Sequence, residues 1–324
     1  MSQPLQQHVF DAGKLIEDYP PQWSGRNKLA VYKIACSSRY PFEGRIVYSR
    51  WPEEEAPETI GPWRGRFSSM KGTFAYPASD PHSVAWHMNF ADPELFTAYA
   101  SSLLAQEELL VAEHPVLGSL KEAMDASGEI PLTIGADGRP TPVTITGVQR
   151  RCAINTSRSW GNPNGLYGNE FARASEQNVI SATKAIRPPT VSHILSMSAP
   201  AWGRGAYTAD QLSLILNTAF TGFSAARRES SVVAGTACQT VIHTGFWGCG
   251  AFGGNRTVMT VLQSLAADLA QVDLDFWSFD SQGVEDAKRA REFYLELVTK
   301  TQSTKTFLRE LEAARFEWGI SDGN

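Results

Sequence analysis

The sequence predicts an α/β sandwich built on a mixed β-sheet. Three observations predict it. Residues 239 to 279 run strand, glycine-rich loop, helix, strand. Residues 82 to 92 alternate apolar and small or polar side chains with period 2. Strands and helices then alternate through the second half of the chain, which argues for helices layered on a sheet.

In the first of these stretches, Thr240, Val241 and Ile242 are β-branched and predict a strand. The loop from His243 to Asn255 reads HTGFWGCGAFGGN. Residues 256 to 271 place Val258, Val261, Leu262, Leu265 and Leu269 at helical spacing, and Asp273 to Phe279 predict the next strand. This order aims backbone N–H groups at an anion beside a helix N-terminus. A single Gly-x-Gly more often marks a plain turn. Gly245, Gly248, Gly250, Gly253 and Gly254, directly before a helix, favour phosphate binding.

Taken in order, residues 1 to 70 are rich in proline, tryptophan and charge and are expected to form an N-terminal accessory segment. Within them Leu29 to Ala35 and Arg45 to Trp51 predict short strands or tight turns, and Glu53-Glu54-Glu55 a solvated loop. The main domain is expected over residues 71 to 324. Val84, Trp86, Met88 and Phe90 alternate with Ala85, His87, Asn89 and Ala91, a strand that stops at Asp92-Pro93 because proline cannot donate to a ladder. Glu94 to Glu113 contains no glycine or proline and predicts helix, with Ser101 or Ser102 capping a new one that carries Gln106, Glu107 and Glu108. Residues 119 to 126 predict a short helix. Ile130, Leu132 and Ile134, the Asp137-Gly138 turn and Pro142 to Ile145 predict a hairpin. Residues 154 to 189 predict a long irregular connection, of the kind that is functional or mobile. Val191 to Met197 predict a buried strand, residues 208 to 220 a helix, and two helices lie near 283 to 299 and 305 to 316.

The bulk numbers restrict function. A formal charge of −5 over 324 residues argues against a broad nucleic-acid footprint. Cys36, Cys152, Cys238 and Cys249 form no CxxC and no zinc-like spacing with histidine, as in a reduced intracellular chain. No 18-residue apolar run and no secretory pattern is present, so a soluble protein without membrane contact is expected.

The residues TGFWGCGAFGG, followed by a helix and DFWSF, closely resemble the diphosphate-binding loop of the poly(ADP-ribose) glycohydrolases, which are built on a macrodomain. Upstream, NFAD followed by QEE is similar to that family's strand end and catalytic glutamate signature, with Asp92 and Gln106 fourteen residues apart. The resemblance spans roughly residues 72 to 300. It implies a macrodomain-like three-layer sandwich. It implies Glu108 as the catalytic glutamate and Glu107 as its acidic neighbour. Trp247, Gly248, Cys249, Gly250, Ala251, Phe252, Gly253, Gly254 and Asn255 would hold the diphosphate, Phe252 beside the distal ribose. Phe279 would pack near the adenosine, and Asn89 would contact the ligand. Three positions depart from the pattern. Phe96, Thr97 and Ala98 stand where the family has three glycines; Asn89 and Asp92 exchange the family's Asp and Asn; and Ala75 falls near the acid that reads adenine, with Asp80 as a stand-in.

Opening a ribose glycosidic bond passes through an oxocarbenium-like state and needs a carboxyl to protonate the leaving group or activate water. Neighbours on a helix point about 100° apart, so Glu108 is assigned as general acid/base and Glu107 as either a supporting residue behind it or a ribose contact. Asp92 holds ribose hydroxyls or activates water. The bland reading of QEE is a solvated helix face, and that of His87 and His243 a hydrogen-bonded core histidine. Arg150-Arg151 is more commonly a surface pair. The expected activity is an ADP-ribosyl hydrolase releasing ADP-ribose from modified protein, arginine-linked or other, or from poly(ADP-ribose). The alternative is a non-catalytic ADP-ribose reader. No metal or cofactor is implied.

Overall fold

The computed structural model describes residues 3–36, 39–76, 80, 82–159, 161–235 and 237–323. Its centre is an eight-stranded mixed sheet of order β1-β2-β5-β6-β4-β7-β8-β3. The strands are β1 (Gln6–Asp11), β2 (Arg45–Arg50), β3 (Phe67–Lys71), β4 (Ser83–Phe90), β5 (Val143–Ile154), β6 (Thr183–Met197), β7 (Gln239–Gly245) and β8 (Asp273–Ser278). β6, β4, β7, β8 and β3 run parallel, while β1, β2 and β5 join antiparallel.

The helices are α1 (Ala12–Asp18), α2 (Arg26–Ala35), α3 (Gln106–Glu113), α4 (Val116–Ala126), α5 (Glu170–Arg173), α6 (Glu176–Ala182), α7 (Ala209–Ala234), α8 (Arg256–Ala270), α9 (Ser281–Lys300) and α10 (Thr304–Ala313). They form two layers. On one face Trp86, Met88, Ile242 and Leu274 pack against α7, α8 and α9 through Leu216, Phe223, Leu262 and Tyr294. On the other, Tyr48, Ile145 and Ile194 pack against α3 and α4 through Leu110, Leu117 and Leu120. The three-layer α/β sandwich with a mixed sheet is therefore present. Alternation along β4 sorts its two faces: Trp86 and Met88 enter the first core, and Asn89 turns to the other side with the α3 carboxylates.

Several local expectations are corrected. The division at residue 70 separates no layer of the sheet, because β1, β2 and β3 all hydrogen-bond into it. Leu29–Ala35 is helical, as part of α2; Asn27, Ala30, Val31 and Ala35 bury one side, a spacing that a strand would split between faces. Between residues 94 and 102 the chain makes turns, and the helix starts only at Gln106, with Ala105 rather than a serine at its cap. The expected hairpin shrinks to a bridge between Ile134 and Pro140, since Val143 onward is taken up by β2 and β6. The stretch from 154 to 189 contains α5, α6 and the start of β6. α7 continues fourteen residues past the expected end at 220, to Ala234, because Phe223, Ala226 and Ser230 stay buried along it.

His114 illustrates how the core sets pH sensitivity. It is fully buried, with its ring nitrogens 2.8 Å from the Leu110 carbonyl and 3.1 Å from Ser192 Oγ. Burial, helped by Arg150, pushes its pKa down to about 3. A depressed histidine pKa means that the unfolded chain takes up the proton first. The stability is complete above the unfolded value of about 6.5 and is lost as pH falls toward about 3, by up to about 1.4 kcal/mol per unit. In urea titrations, the stability gap between the wild type and His114→Gln should therefore narrow as pH drops below about 6.5. A gap independent of pH would show that His114 does not carry this linkage.

Candidate functional site

Parallel strands deliver their loops to one edge of the sheet, and the crevice lies there, at the carboxyl ends of β4 and β7. Its volume is about 130 Å³. Phe90, Ala91 and Asp92 from the end of β4 form its floor, Glu107 and Glu108 from α3 one wall, and the loop after β7 the other.

The glycine loop is shaped by backbone needs. Gly248 has φ +73°, and a Cβ there would lie 2.6 Å from the Ala199 Cβ; Gly253 has φ +71°. Both positions need the left-handed region. The loop closes on itself, since the amides of Trp247, Cys249, Gly253 and Gly254 donate to the carbonyls of Gly245, Phe246, Gly250 and Gly248. Asn255 caps α8, its side chain accepting from Thr257 and Val258 at 2.9 and 3.3 Å, while its own amide donates to Tyr207 Oη at 2.8 Å. Among the described residues, the amides of Gly248, Gly250, Ala251 and Phe252 make no backbone hydrogen bond. Of the nine residues expected to hold the diphosphate, these four have amides that no backbone carbonyl engages. Trp247 is buried with its indole N–H on the Met197 carbonyl at 3.0 Å, so its side chain supports the loop from below. Burial pushes the Cys249 thiol up to about 12, which keeps it protonated at neutral pH.

The carboxylates are held from several sides. Gln106 bridges the end of β4, accepting from the Phe90 amide at 2.8 Å and donating to the Met88 carbonyl at 2.9 Å. This fixes the first turn of α3 against the strand. Glu108 returns its Oε2 to the Ala105 amide at 3.0 Å, half of a capping box; Ala105 has no oxygen for the other half. Glu107 Oε1 accepts from Asn89 Nδ2 at 2.8 Å, while its Oε2 is buried with no partner among the described residues. Both glutamates are buried, at 4% and 3% exposure. Burial raises the Glu107 pKa well above the usual carboxylate range, reinforced by Glu108 and Asp92 and opposed by Asn89. Glu108 is raised less clearly, because Lys28 counters the burial. Burial also raises Asp92. These are environments that hold carboxyl protons toward neutral pH.

The turn before α3 accounts for the missing glycines. Phe96 sits at φ +60°, fully buried among Leu95, Tyr99 and Leu117. Its amide faces Glu107. A left-handed backbone is costly for a bulky residue, and burial of its ring holds it there.

Not every expected residue reaches the crevice. Asn89 is fully buried behind Glu107 and orients it. Phe279 is 63% exposed and touches the site through Tyr167, with ring centroids 5.2 Å apart. Asp80 lies at the opposite end of β4, accepting from His82 and Ser83. His87 and His243 stack 4.7 Å apart on paired positions of β4 and β7, with His87 also stacked on Tyr76, and neither lines the crevice. Arg150 lies over Tyr76 and pairs with Glu113 at 2.8 Å; it is no surface residue.

Three residues escaped the sequence. Tyr167 lines the crevice and its hydroxyl meets the Gln106 amide. It came from a stretch without periodicity, where only its being aromatic beside glycines gave a signal. Lys28 of α2 is buried with its Nζ 2.6 Å from the Tyr99 carbonyl, and its pKa falls to about 8 through burial, against the pull of Glu108 and Glu107. Asp322 lines the crevice from a segment with no sequence signal. Among the described residues, no group of three or more metal-binding side chains is present, and no helix is long and apolar enough to cross a membrane.

Residues 153–286 match the family described as poly(ADP-ribose) glycohydrolase (PARG), macro domain fold. The match includes the glycine loop, α8 and β8 and begins after α3. No curated protein matches the chain. Among solved structures, the chain is similar to the poly(ADP-ribose) glycohydrolase of Thermomonospora curvata bound to the inhibitor ADP-HPD, at 14% identity over 89% of this chain and 84% of that one, with a TM-score of 0.44. It is also similar to the enzyme of Deinococcus radiodurans in complex with ADP-ribose, at 15% identity over 90% and 96%, with a TM-score of 0.39. The segment from the end of β5 into α9 thus matches the poly(ADP-ribose) glycohydrolase family, and it lies within a mixed-sheet α/β sandwich.

Proposed function

We propose that this protein is an ADP-ribosyl hydrolase that cleaves a ribose glycosidic bond and releases ADP-ribose. One observation carries the reading: four available loop amides and three buried or half-buried carboxylates share one crevice. The amides of Gly248, Gly250, Ala251 and Phe252 bind the diphosphate, and Phe252 lies beside the distal ribose. The unpartnered Glu107 Oε2 meets a ribose hydroxyl. Glu108 acts as general acid/base, and Asp92 steadies hydroxyls or the attacking water. Developing positive charge at the ribose carbon is stabilised by the ionised partner of the coupled carboxyl pair.

The crevice lining also supports a leaving group. Apart from Asp322, it contains Asp92, Glu107 and Glu108 and, among the described residues, no lysine or arginine. Such a lining suits a guanidinium better than a second diphosphate-bearing unit. Arginine-linked ADP-ribose on protein is therefore the proposed substrate, ahead of poly(ADP-ribose). Incubation with arginine-ADP-ribosylated protein and with poly(ADP-ribose), followed by chromatography of freed ADP-ribose, tests it. Release is expected from the arginine linkage. Tight ADP-ribose binding without release from either substrate would instead make the protein a reader, the reading that Phe96-Thr97-Ala98 in place of three glycines favours.

A further inference from the structure

The segment after α10 turns back across the glycine loop in two unlike parts. The first part is anchored. Tyr207 donates its amide to the Phe316 carbonyl at 3.0 Å, and Trp318 stacks on Tyr207 with centroids 4.5 Å apart and planes 14° apart. The Trp318 amide reaches the Gly205 carbonyl at 2.9 Å, and its indole N–H reaches Gln211 Oε1 at 3.3 Å. A Cβ on Gly203 would fall 1.9 Å from the Trp318 ring, so this ring has a fitted seat.

The second part is laid over the loop with little apolar burial. Residues 319 to 323 are exposed, Ile320 at 93%. A Cβ on Gly319 would lie 3.4 Å from the carbonyl oxygens of both Gly253 and Gly254. The Asp322 amide donates to the Gly250 carbonyl at 3.4 Å, and Asp322 Oδ2 lies 3.2 Å from where a Gly250 Cβ would stand. A carboxylate therefore rests against the loop whose amides are arranged for an anion. The volume left beside it, about 130 Å³, is well below the roughly 300–1,000 Å³ of pockets that take ligands of this size. A segment with a firm root and few buried contacts beyond it is one that opens locally at low cost.

We propose that Trp318–Gly323 is an autoinhibitory strap: Asp322 occupies the diphosphate loop and must leave before a nucleoside diphosphate sugar enters. This rests on the ADP-ribose reading of the crevice. The strap lowers apparent affinity by the fraction of molecules in which it is open, while the loop itself is unchanged. Trp318 remains the hinge in either arrangement.

The test compares the full chain, Asp322→Asn, and a chain stopped after Trp318. Calorimetry with ADP-ribose should show about tenfold tighter binding in both altered forms, as expected if roughly one molecule in ten is open. Amide exchange of Gly250, Ala251 and Phe252 without ligand should speed up in the shortened chain. Equal or weaker affinity in the altered forms overturns the strap and leaves the site reading standing. Unchanged amide exchange overturns it as well, whatever the ligand does. Binding by none of the three forms removes the ADP-ribose reading, and the strap with it.

Discussion

Glu108→Gln is expected to lower kcat for ADP-ribose release by about 10²–10⁴-fold, the contribution of a positioned general acid/base. The variant should keep its fold. Glutamine retains an oxygen that accepts from the Ala105 amide, the 3.0 Å contact that Glu108 makes at the start of α3. Its unfolding free energy should therefore stay within about 1 kcal/mol of the wild type. Glu107→Gln should act differently. Its amide oxygen still accepts from Asn89 Nδ2, but an amide NH2, which can only donate, then stands where Glu107 Oε2 stood and where the proposed ribose contact lies. A raised KM with a smaller loss in kcat is expected, the mark of a binding contact. Single-turnover and steady-state assays on both variants decide between the roles. If Glu107→Gln suffers the larger loss in kcat, the two assignments exchange. The pH dependence has a definite sign. Burial raises both carboxyl pKa values, so the protonated acid persists above the usual carboxylate range, and the rate limited by it declines as pH rises through the raised value.

The second large effect concerns Gly248. Gly248→Ala should cost about 2–4 kcal/mol of stability and at least about tenfold in ADP-ribose affinity. A left-handed backbone costs an L-residue about 1–2 kcal/mol. The new methyl would lie 2.6 Å from Ala199 Cβ, and overpacking of that kind adds about 1–3 kcal/mol. The loop has to move, and its amides lose their common aim. Gly250→Ala is the control. Its φ lies outside the left-handed region, and the nearest atoms to an added methyl belong to the Asp322 side chain. Stability should change by less than about 0.5 kcal/mol. Equal losses in the two variants, measured by urea unfolding, would show that general crowding and not the Gly248 conformation shapes the loop.

Buried Lys28 extends the site beyond the segment that resembles a known signature, and half-buried Tyr167 adds to it from within that segment. α2 carries Lys28 under the α3 carboxylates, so the N-terminal 70 residues contribute to the electrostatics of the crevice as well as to the sheet. That link joins elements about eighty residues apart, and nothing local in either stretch announces it.

The elements legible in the chain are those whose geometry is local. β7, the glycine loop, α8 and β8 follow from β-branched residues, positive-φ glycines and a helical stripe that are contiguous in the chain. β4 follows from its period of two. Which groups remain free depends on contacts between distant parts of the chain. Four amides of the loop are available because the others turn inward. Asn255 is a helix cap because Tyr207 and α8 engage it, and Asn89 serves Glu107 because alternation along β4 buries it. Leu29–Ala35 became a helix, and residues 183 to 190 a strand, through packing partners far away in sequence. Hydrogen bonding is exclusive and burial is non-local, so a residue's type states what it can bond to, and only the folded chain states what is left for it to hold.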